Sequence, residues 1–312
     1  MPFAHANDAA GSIRVPAACC GLVGLKPSRG ATPAGPDFEN YCTGIVANLV
    51  VSRSLRDTAA ALAAIGGNPR RPMPGPEVGS LAQLDAAPAP LRIAVVSDLP
   101  SGVAFDQRRK AAILHAAEVL RRAGHVMSLF DPDRLMPVVT MAAEAAGRIL
   151  CANLARILDS FDPPLEPGEL ELITEADLAY GRSLSGAELI EATIAMAKVS
   201  LAMAHVFEDY DALLTPMLSG PPPMIGAFPT DHGDAKKHGR RLFEFAPFAG
   251  LANVAGIPAL TIPHGRDDDG LPLPVQLMAA VGEDGMLLKL GRVLEKAEPW
   301  PMTSSKINRW TP

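Results

Sequence analysis

The sequence predicts an α/β protein in which a mixed β-sheet is flanked by helices. A strand–helix–strand unit starts at Leu91, where the strand-like segment LRIAVVS precedes a helical pattern over residues 106–123 and the strand-like segment HVMSLF follows. This order of elements predicts one βαβ layer. A long stretch of helical spacing over residues 138–209 and two strand-like segments near the C-terminus complete the pattern.

The N-terminal part of the chain is expected to consist mostly of loops. Up to Gly35 it is rich in glycine and proline, and its one predicted strand is SIRVP, which starts at Ser12. Ser54 begins a variant of the capping-box pattern, and the helix that it predicts ends at Gly66 and Gly67. A proline-rich surface connection, NPRRPMPGPEVGS, follows that helix.

The C-terminal half predicts helices first and strands afterwards. Ser185 and Glu188 form a capping-box pattern at the start of a long helix whose apolar residues have helical spacing. YDALLTP is typical of a buried strand, whereas TDHGDAKKHGRR is predicted to be a polar loop. The strand-like segments PALTIPHG and VQLMA flank a turn at Asp269 and Gly270, and a last helix starts near Glu283.

The composition is that of a globular protein and argues against two classes of partner. Of 312 residues, 48% are hydrophobic and 20% are charged, which is too apolar for a disordered chain. The net charge of -6 provides no basic surface for nucleic acid. No uninterrupted apolar run reaches the ~18 residues of a membrane helix. Neither a nucleic acid nor a membrane is therefore an expected partner.

The cysteines favour a reducing environment. They form no C-x-x-C pair, and no secretory apolar region precedes them: Cys19, Cys20, Cys42 and Cys151. A cytoplasmic location is the simplest expectation from this pattern.

Ser12 is the first candidate for chemistry. A serine hydroxyl is a weak nucleophile unless its surroundings activate it, so its neighbours matter. The three residues before it are small: Ala9, Ala10 and Gly11. Their backbone N–H groups are sterically open to the oxyanion of a reacting carbonyl. Asp8 and Arg14 are placed to pair across this turn and hold it rigid, although an ordinary turn of small residues leading into a strand fits the same letters.

Other catalytic and metal-binding patterns fit less well. No G-x-S-x-G segment occurs, which argues against an α/β-hydrolase arrangement. His5 or His264 could complete a serine triad, but nothing in their spacing indicates one. One polar segment holds several side chains of ligand type: Asp231, His232, Asp234 and His238. Because this segment has no helical H-x-x-x-H pair, the sequence predicts no metal site.

The run AHANDAAGSIRVPAACCGLVGLKPSRG resembles the core motif of the amidase signature family. That motif has an aspartate, three small residues, a serine, Ile-Arg, a hydrophobic residue and a proline, with Gly-Leu-Lys-Pro further on. The similarity continues in SRSLRDTAAAL, YDALLTPMLSGPPPMIG and NVAGIPALTIPHGRDDDGLPLPVQLMA, and is weakest over residues 131–180. The DAAGS form is similar to a subgroup that includes hydrolases of small cyclic amides such as the 6-aminohexanoate cyclic dimer.

The resemblance implies a fold, a site and a reaction. It implies one amidase signature domain over residues 1–312, with a variable, mainly helical substrate-side region over residues 131–245. Ser12 matches the acyl-forming nucleophile, and the backbone amides of residues 9–11 match the oxyanion hole. Family members hydrolyse C–N bonds without a metal or cofactor. The implied substrate is a small carboxamide or a cyclic amide.

The chain departs from the family pattern upstream of Ser12. Family members activate the nucleophile with a lysine and a cis-serine that lie N-terminal to it, and neither precedes Ser12 in this sequence. We therefore expect an N-terminally incomplete domain with little or no turnover on its own. Lys26 is disfavoured as a substitute base, because it matches a different lysine of the motif. The missing segment predicts exposed apolar surface, which favours a homo-oligomer or a covering partner.

Two other functions stay open from the sequence. A glutamine-hydrolysing amidotransferase A-type subunit uses the same core motif, and a non-catalytic remnant would keep the fold without the chemistry. An in-frame upstream DNA sequence that encodes the lysine and a glycine- and serine-rich loop would favour the enzyme over the remnant.

Overall fold

The described part of the chain contains eight strands and nine α-helices. This computed structural model describes residues 1–33, 41–67, 76, 84–99, 102–166 and 168–302. In chain order the elements are β1 (Phe3–Asp8), α1 (Arg14–Cys20), β2 (Val23–Lys26), β3 (Ala47–Ser52), α2 (Leu55–Ile65), β4 (Arg92–Val95), α3 (Gln107–Arg122), β5 (Val126–Leu129), α4 (Met136–Leu158), α5 (Leu172–Ser183), α6 (Gly186–Asp209), β6 (Ala212–Pro216), α7 (Ala235–Phe245), α8 (Ala249–Ala255), β7 (Ala259–Arg266), β8 (Pro272–Ala279) and α9 (Asp284–Ala297). Apart from Pro76, the predicted connection over residues 68–80 lies outside the described residues.

The strands form one mixed sheet, as the sequence predicts. Their order is β1–β3–β2–β7–β8–β6–β4–β5. Strand β4 pairs in parallel with β5 and β6, and the other neighbours are antiparallel. The register places Gln276 of β8 between Thr215 of β6 and Thr261 of β7. The parallel β4–β5 pair, joined through α3, confirms the predicted βαβ unit.

Helices cover both faces of this sheet. On one face, Leu260 and Ile262 of β7 pack into a core that includes residues of α2, α3 and α9. On the other face, Ala259 and Met278 pack with residues of α4, α6 and α8. Because successive side chains of a strand point to opposite faces, the two cores lie on opposite sides of the sheet.

The N-terminal prediction is wrong in two respects. Residues Phe3–Asp8 form strand β1, and the SIRVP segment enters helix α1 instead of forming a strand. The reason is that the Asp8 carboxylate accepts the N–H of Gly11 at 2.6 Å and of Ile13 at 3.2 Å. These bonds turn the chain into a helix, where Pro16 is tolerated because it lies in the first turn.

The predicted polar loop TDHGDAKKHGRR is also partly wrong. Its second half starts helix α7, and Asp234 caps that helix by accepting the N–H of Lys237 at 3.0 Å. The charged residues dominate the sequence of this segment and hide the apolar positions that follow at its C-terminal end. These are Leu242, Phe243 and Phe245.

Other boundaries agree with the sequence patterns. Ser54 accepts the N–H of Asp57 at 3.1 Å at the start of α2. Ser185 and Glu188 form the predicted capping box of α6. All five residues of β6 are buried. Local capping chemistry and local hydrophobicity therefore determine these ends.

Two helical stretches meet the length and composition expected of membrane spans: Pro132–Leu158 and Gly186–Asp209. Neither contains an uninterrupted apolar run of ~18 residues, since charged residues such as Arg148 and Glu191 divide them. Both stretches bury one side in the core beneath α8. Because core helices pass the same test, length and composition alone do not indicate a membrane span here.

Candidate active site

Residues 8–14 form a turn organised by one carboxylate. Arg14 Nε donates to Asp8 Oδ2 at 2.9 Å, and neither side chain has solvent-accessible surface. The same carboxylate accepts the backbone N–H of Gly11 and Ile13. The pair expected across this turn is therefore present, and it fixes the backbone on both sides of Ser12.

The Asp8 carboxyl is held in its ionised form. Burial alone would raise its pKa, but the charge of Arg14 and hydrogen bonds from Arg14 and Asn253 outweigh burial. The net effect is a pKa below the usual value of 3.8. An ionised Asp8 is what the buried Arg14 guanidinium requires as its counter-charge.

The Arg14 guanidinium joins the turn to distant parts of the fold. It donates to Gln276 Oε1 at 2.9 Å, to the Ala249 carbonyl oxygen at 2.7 Å and to Asn253 Oδ1 at 2.7 Å. Asn253 Nδ2 in turn donates to the backbone oxygen of Asp8 at 2.7 Å. Strand β8 and helix α8 are thereby connected to the segment that carries Ser12.

Sequence reasoning did not identify Asn253 and Gln276 as parts of this network. Both are polar side chains within apolar segments, and both are buried. A lone amide in such a segment is a usable signal, because a buried polar group needs a hydrogen-bond partner. The signal does not say where the partner is, since Arg14 lies far away in sequence.

Ser12 lies on the surface of a cavity. Ser12 is exposed, and within the part of the chain that the structure describes the Ser12 hydroxyl has no hydrogen-bond partner. Gly11 precedes it with φ of 123°, a conformation that favours glycine. A Cβ at Gly11 would lie 2.9 Å from both the Ala249 Cβ and the Val15 Cγ2. The turn therefore lies so close to α8 that only glycine fits at position 11.

The cavity beside Ser12 has a volume of about 490 Å³. Its walls come from α1, α4, α7, α8 and the turn, and they include Val139, Leu150 and Phe243. Of the described residues that line it, Ser12 alone has a polar side chain. The cavity thus presents a single hydroxyl to an otherwise apolar space.

The other predicted site residues differ in their access to this cavity. Ala10 and Gly11 line it, whereas Ala9 is not among the described lining residues. The N–H of Gly11 is already donated to Asp8. Part of the wall comes from α4 and α7 within residues 131–245, and part comes from residues 246–251 beyond that range.

Lys26 lies at the end of β2, and its amine makes no hydrogen bond to Ser12. Its amine is buried and donates to the Pro27 carbonyl oxygen at 2.7 Å. Burial and the nearby charge of Arg14 lower its pKa to about 7. This hydrogen bond holds the backbone at Pro27.

The two histidines and the polar segment considered in the sequence analysis are not part of the Ser12 site. His5 pairs with Val50 at the edge of the sheet, and His264 is buried in β7. The polar segment over residues 231–238 does not bring three ligand atoms together. Among the described residues, one group of three does so: His115, His264 and Glu298.

Comparisons with known proteins agree on the fold and the family. The solved structure of a 6-aminohexanoate cyclic dimer hydrolase superposes with a TM-score of 0.87 and 28% identity, over 96% of this chain and 65% of that chain. The family model Amidase matches residues 1–288, and the chain belongs to that family. The predicted family and the predicted fold class are confirmed.

Two relatives illustrate the range of the family. AmiC from Mycobacterium tuberculosis, a protein named as an amidase, is 34% identical over an alignment of 306 positions, gaps included, which covers 96% of this chain and 62% of AmiC. The 6-aminohexanoate-cyclic-dimer hydrolase of Paenarthrobacter ureafaciens is 32% identical over an alignment of 320 positions, gaps included, which covers 96% of this chain and 64% of that enzyme. The chain thus spans less than two thirds of the length of these relatives.

Proposed function

We propose that this chain carries the acylation site of an amide hydrolase and that Ser12 is its nucleophile. The observation that supports this most directly is the position of Ser12 as the one polar side chain in the described lining of an apolar cavity. Family membership supports the reaction class. The expected substrate is a small, uncharged carboxamide or cyclic amide.

In the proposed reaction, Ser12 Oγ attacks the amide carbonyl carbon and loses its proton. The carbonyl oxygen becomes an oxyanion, which the backbone amides of residues 9–11 stabilise. Because the Gly11 N–H is engaged by Asp8 and Ala9 is not among the described lining residues, we assign most of this stabilisation to Ala10. Collapse breaks the C–N bond, the leaving nitrogen takes up the proton that Ser12 lost, and water then hydrolyses the Ser12 ester to a carboxylic acid and the free hydroxyl.

The Asp8–Arg14 pair positions this site without touching the substrate. It holds the turn against α8 and β8, so that the hydroxyl and the backbone donors keep one relative geometry. Such preorganisation is the usual source of oxyanion stabilisation, because the donors need not reorganise as charge develops.

We expect the activation of Ser12 to be the slow step of the proposed reaction. No described side chain hydrogen-bonds its hydroxyl, and the Lys26 amine is directed to Pro27 instead. Without a base, serine hydrolases lose about 10⁴-fold or more in kcat. We therefore expect the 312-residue chain to acylate slowly with activated substrates and to turn over ordinary amides poorly.

The cavity lining favours neutral substrates over free amino acids. None of its described lining residues is charged, so the ammonium and carboxylate groups of glutamine would be desolvated there without partners. This disfavours the amidotransferase alternative. The likeness to 6-aminohexanoate cyclic dimer hydrolases supports a cyclic amide as one substrate class.

The test is covalent labelling with p-nitrophenyl hexanoate followed by intact-mass measurement and peptide mapping. We expect one hexanoyl group per chain, located on Ser12, and no label in Ser12→Ala. Ser183→Ala is the matched control, because Ser183 is an exposed serine on α5 that is not among the cavity-lining residues. Equal labelling of Ser12→Ala, or no labelling of the unaltered chain, would support the non-catalytic remnant and overturn the proposal.

A further inference from the structure

Three ligand-type side chains meet on the sheet face covered by α3 and α9. His115 comes from α3, His264 from β7, and Glu298 from the residue directly after α9. One nitrogen or oxygen atom of each lies within 4.8 Å of the other two. His115 Nε2 is already 3.0 Å from Glu298 Oε1, and the two histidine rings have centroids 5.2 Å apart.

His264 is the least explained member of this group. It is only 2% exposed, yet within the described residues neither of its ring nitrogens has a hydrogen-bond partner. Buried side-chain polar atoms are satisfied in the large majority of cases, so an imidazole with two unpaired nitrogens needs a partner.

We propose that His115, His264 and Glu298 bind a Zn²⁺ ion. Two imidazole nitrogens and one carboxylate oxygen are a typical zinc donor set, with a fourth position for water. A cavity of about 320 Å³ borders all three residues and gives solvent access to that fourth position.

The required movement is small. Ligands about 2.1 Å from a tetrahedral zinc lie about 3.4 Å apart, so His115 Nε2 and Glu298 Oε1, which are 3.0 Å apart, must separate slightly. The widest separation is at most 4.8 Å, so it must close by at most about 1.4 Å to reach that spacing. The side chains of His115 and Glu298 are 50% and 35% exposed, so they can rotate toward the fixed His264.

The site joins elements that are distant in sequence and lies apart from Ser12. Its β7 residue shares a sheet face with Leu260 and Ile262, which pack toward α3 and α9. The Ser12 cavity is built from α4, α7 and α8, of which α4 and α8 belong to the core on the other face. Bound zinc would hold α3, β7 and the end of α9 together, with a stabilising role.

The experiment titrates the chelator-treated chain with ZnCl₂ by calorimetry and native mass spectrometry. We expect one Zn²⁺ per chain, and a rise in Tm of several degrees when Zn²⁺ reaches about 100 times its Kd. His115→Ala and Glu298→Gln should each weaken binding at least tenfold. The matched control His205→Ala, at an exposed histidine of α6, should bind as the unaltered chain does.

Other results would overturn the assignment. These are no saturable binding, unchanged affinity in His115→Ala, or loss of binding in His232→Ala, which would place the ion in the polar segment instead. Co²⁺ supports the same test, because its visible absorption should change in His115→Ala and not in His205→Ala. Acylation of Ser12 should be the same with and without Zn²⁺, so this proposal and the proposed function fail independently.

Discussion

Asp8 Oδ2 lies 2.9 Å from Arg14 Nε, with both side chains removed from solvent. Asp8 and Arg14 lie on either side of Ser12 in the sequence. Arg14 connects the turn that carries Ser12 to α8 through Asn253 and to β8 through Gln276. The carboxylate accepts hydrogen bonds from the guanidinium and from three backbone N–H groups at once, so its loss would affect the whole turn.

Removing the charge of Asp8 should strongly destabilise the fold. In Asp8→Asn the Arg14 guanidinium stays buried without a counter-charge, and such a change costs about 3–5 kcal/mol. Urea unfolding followed by circular dichroism measures the free energy of unfolding. The control is Arg182→Ala, which breaks an exposed pair with Asp159 and should cost at most about 1 kcal/mol. Similar losses in the two variants would contradict this account of the turn.

Lys26 should make stability depend on pH between 7 and 10. Burial lowers its pKa from 10.5 to about 7 in the folded chain, so in this range the unfolded chain binds more protons. The free energy of unfolding therefore rises with pH across this window, and Lys26 lowers stability most below pH 7. In Lys26→Met this component is absent. The measurement is the difference in unfolding free energy between the two chains at several pH values, in which contributions from other titrating groups cancel. A difference that does not change with pH would show that Lys26 titrates normally.

The same substitution, glycine to alanine, should affect stability differently at Gly181 and at Gly147. A Cβ at Gly181 would overlap the Cys151 carbonyl oxygen, so Gly181→Ala must push α5 away from α4. We expect a loss of about 1–3 kcal/mol or more. A Cβ at Gly147, in the middle of α4, would meet no atom within 4 Å. Gly147→Ala should therefore be neutral or stabilise the chain by up to about 1 kcal/mol. Thermal unfolding of both variants checks the prediction, and equal Tm values would contradict the close contact of α4 and α5.

The size of the Ser12 cavity should decide which acyl groups react. Gly147 lines the cavity and has free space beside it, so Gly147→Leu should fill part of the volume without disturbing the core. We expect labelling of Ser12 by p-nitrophenyl hexanoate to slow at least tenfold, while labelling by p-nitrophenyl acetate changes little. Gly186→Leu, at an open position outside the cavity, is the control. Equal slowing with both esters would mean that the acyl group binds elsewhere.

Local patterns predicted much of the fold because their causes are local. The Ser185–Glu188 capping box and the alternation around β4, α3 and β5 depend on neighbouring residues, and both are found in the structure. The prediction of a strand at SIRVP was wrong because the cause of helix α1 is not local. That helix depends on the Asp8 carboxylate reaching Ile13 across the turn, which no propensity of the SIRVP letters expresses.

The amino-acid sequence by itself determined the mixed α/β class, the family, and Ser12 as the residue to examine. Only the tertiary structure decided what surrounds that residue. Asn253 and Gln276 reach Arg14 across 239 and 262 positions, and α4, α7 and α8 close an apolar cavity beside the hydroxyl. Helix caps and hydrophobic periodicity act over a few residues. Such buried networks form only when packing removes distant polar groups from water, so that these groups must hydrogen-bond to each other.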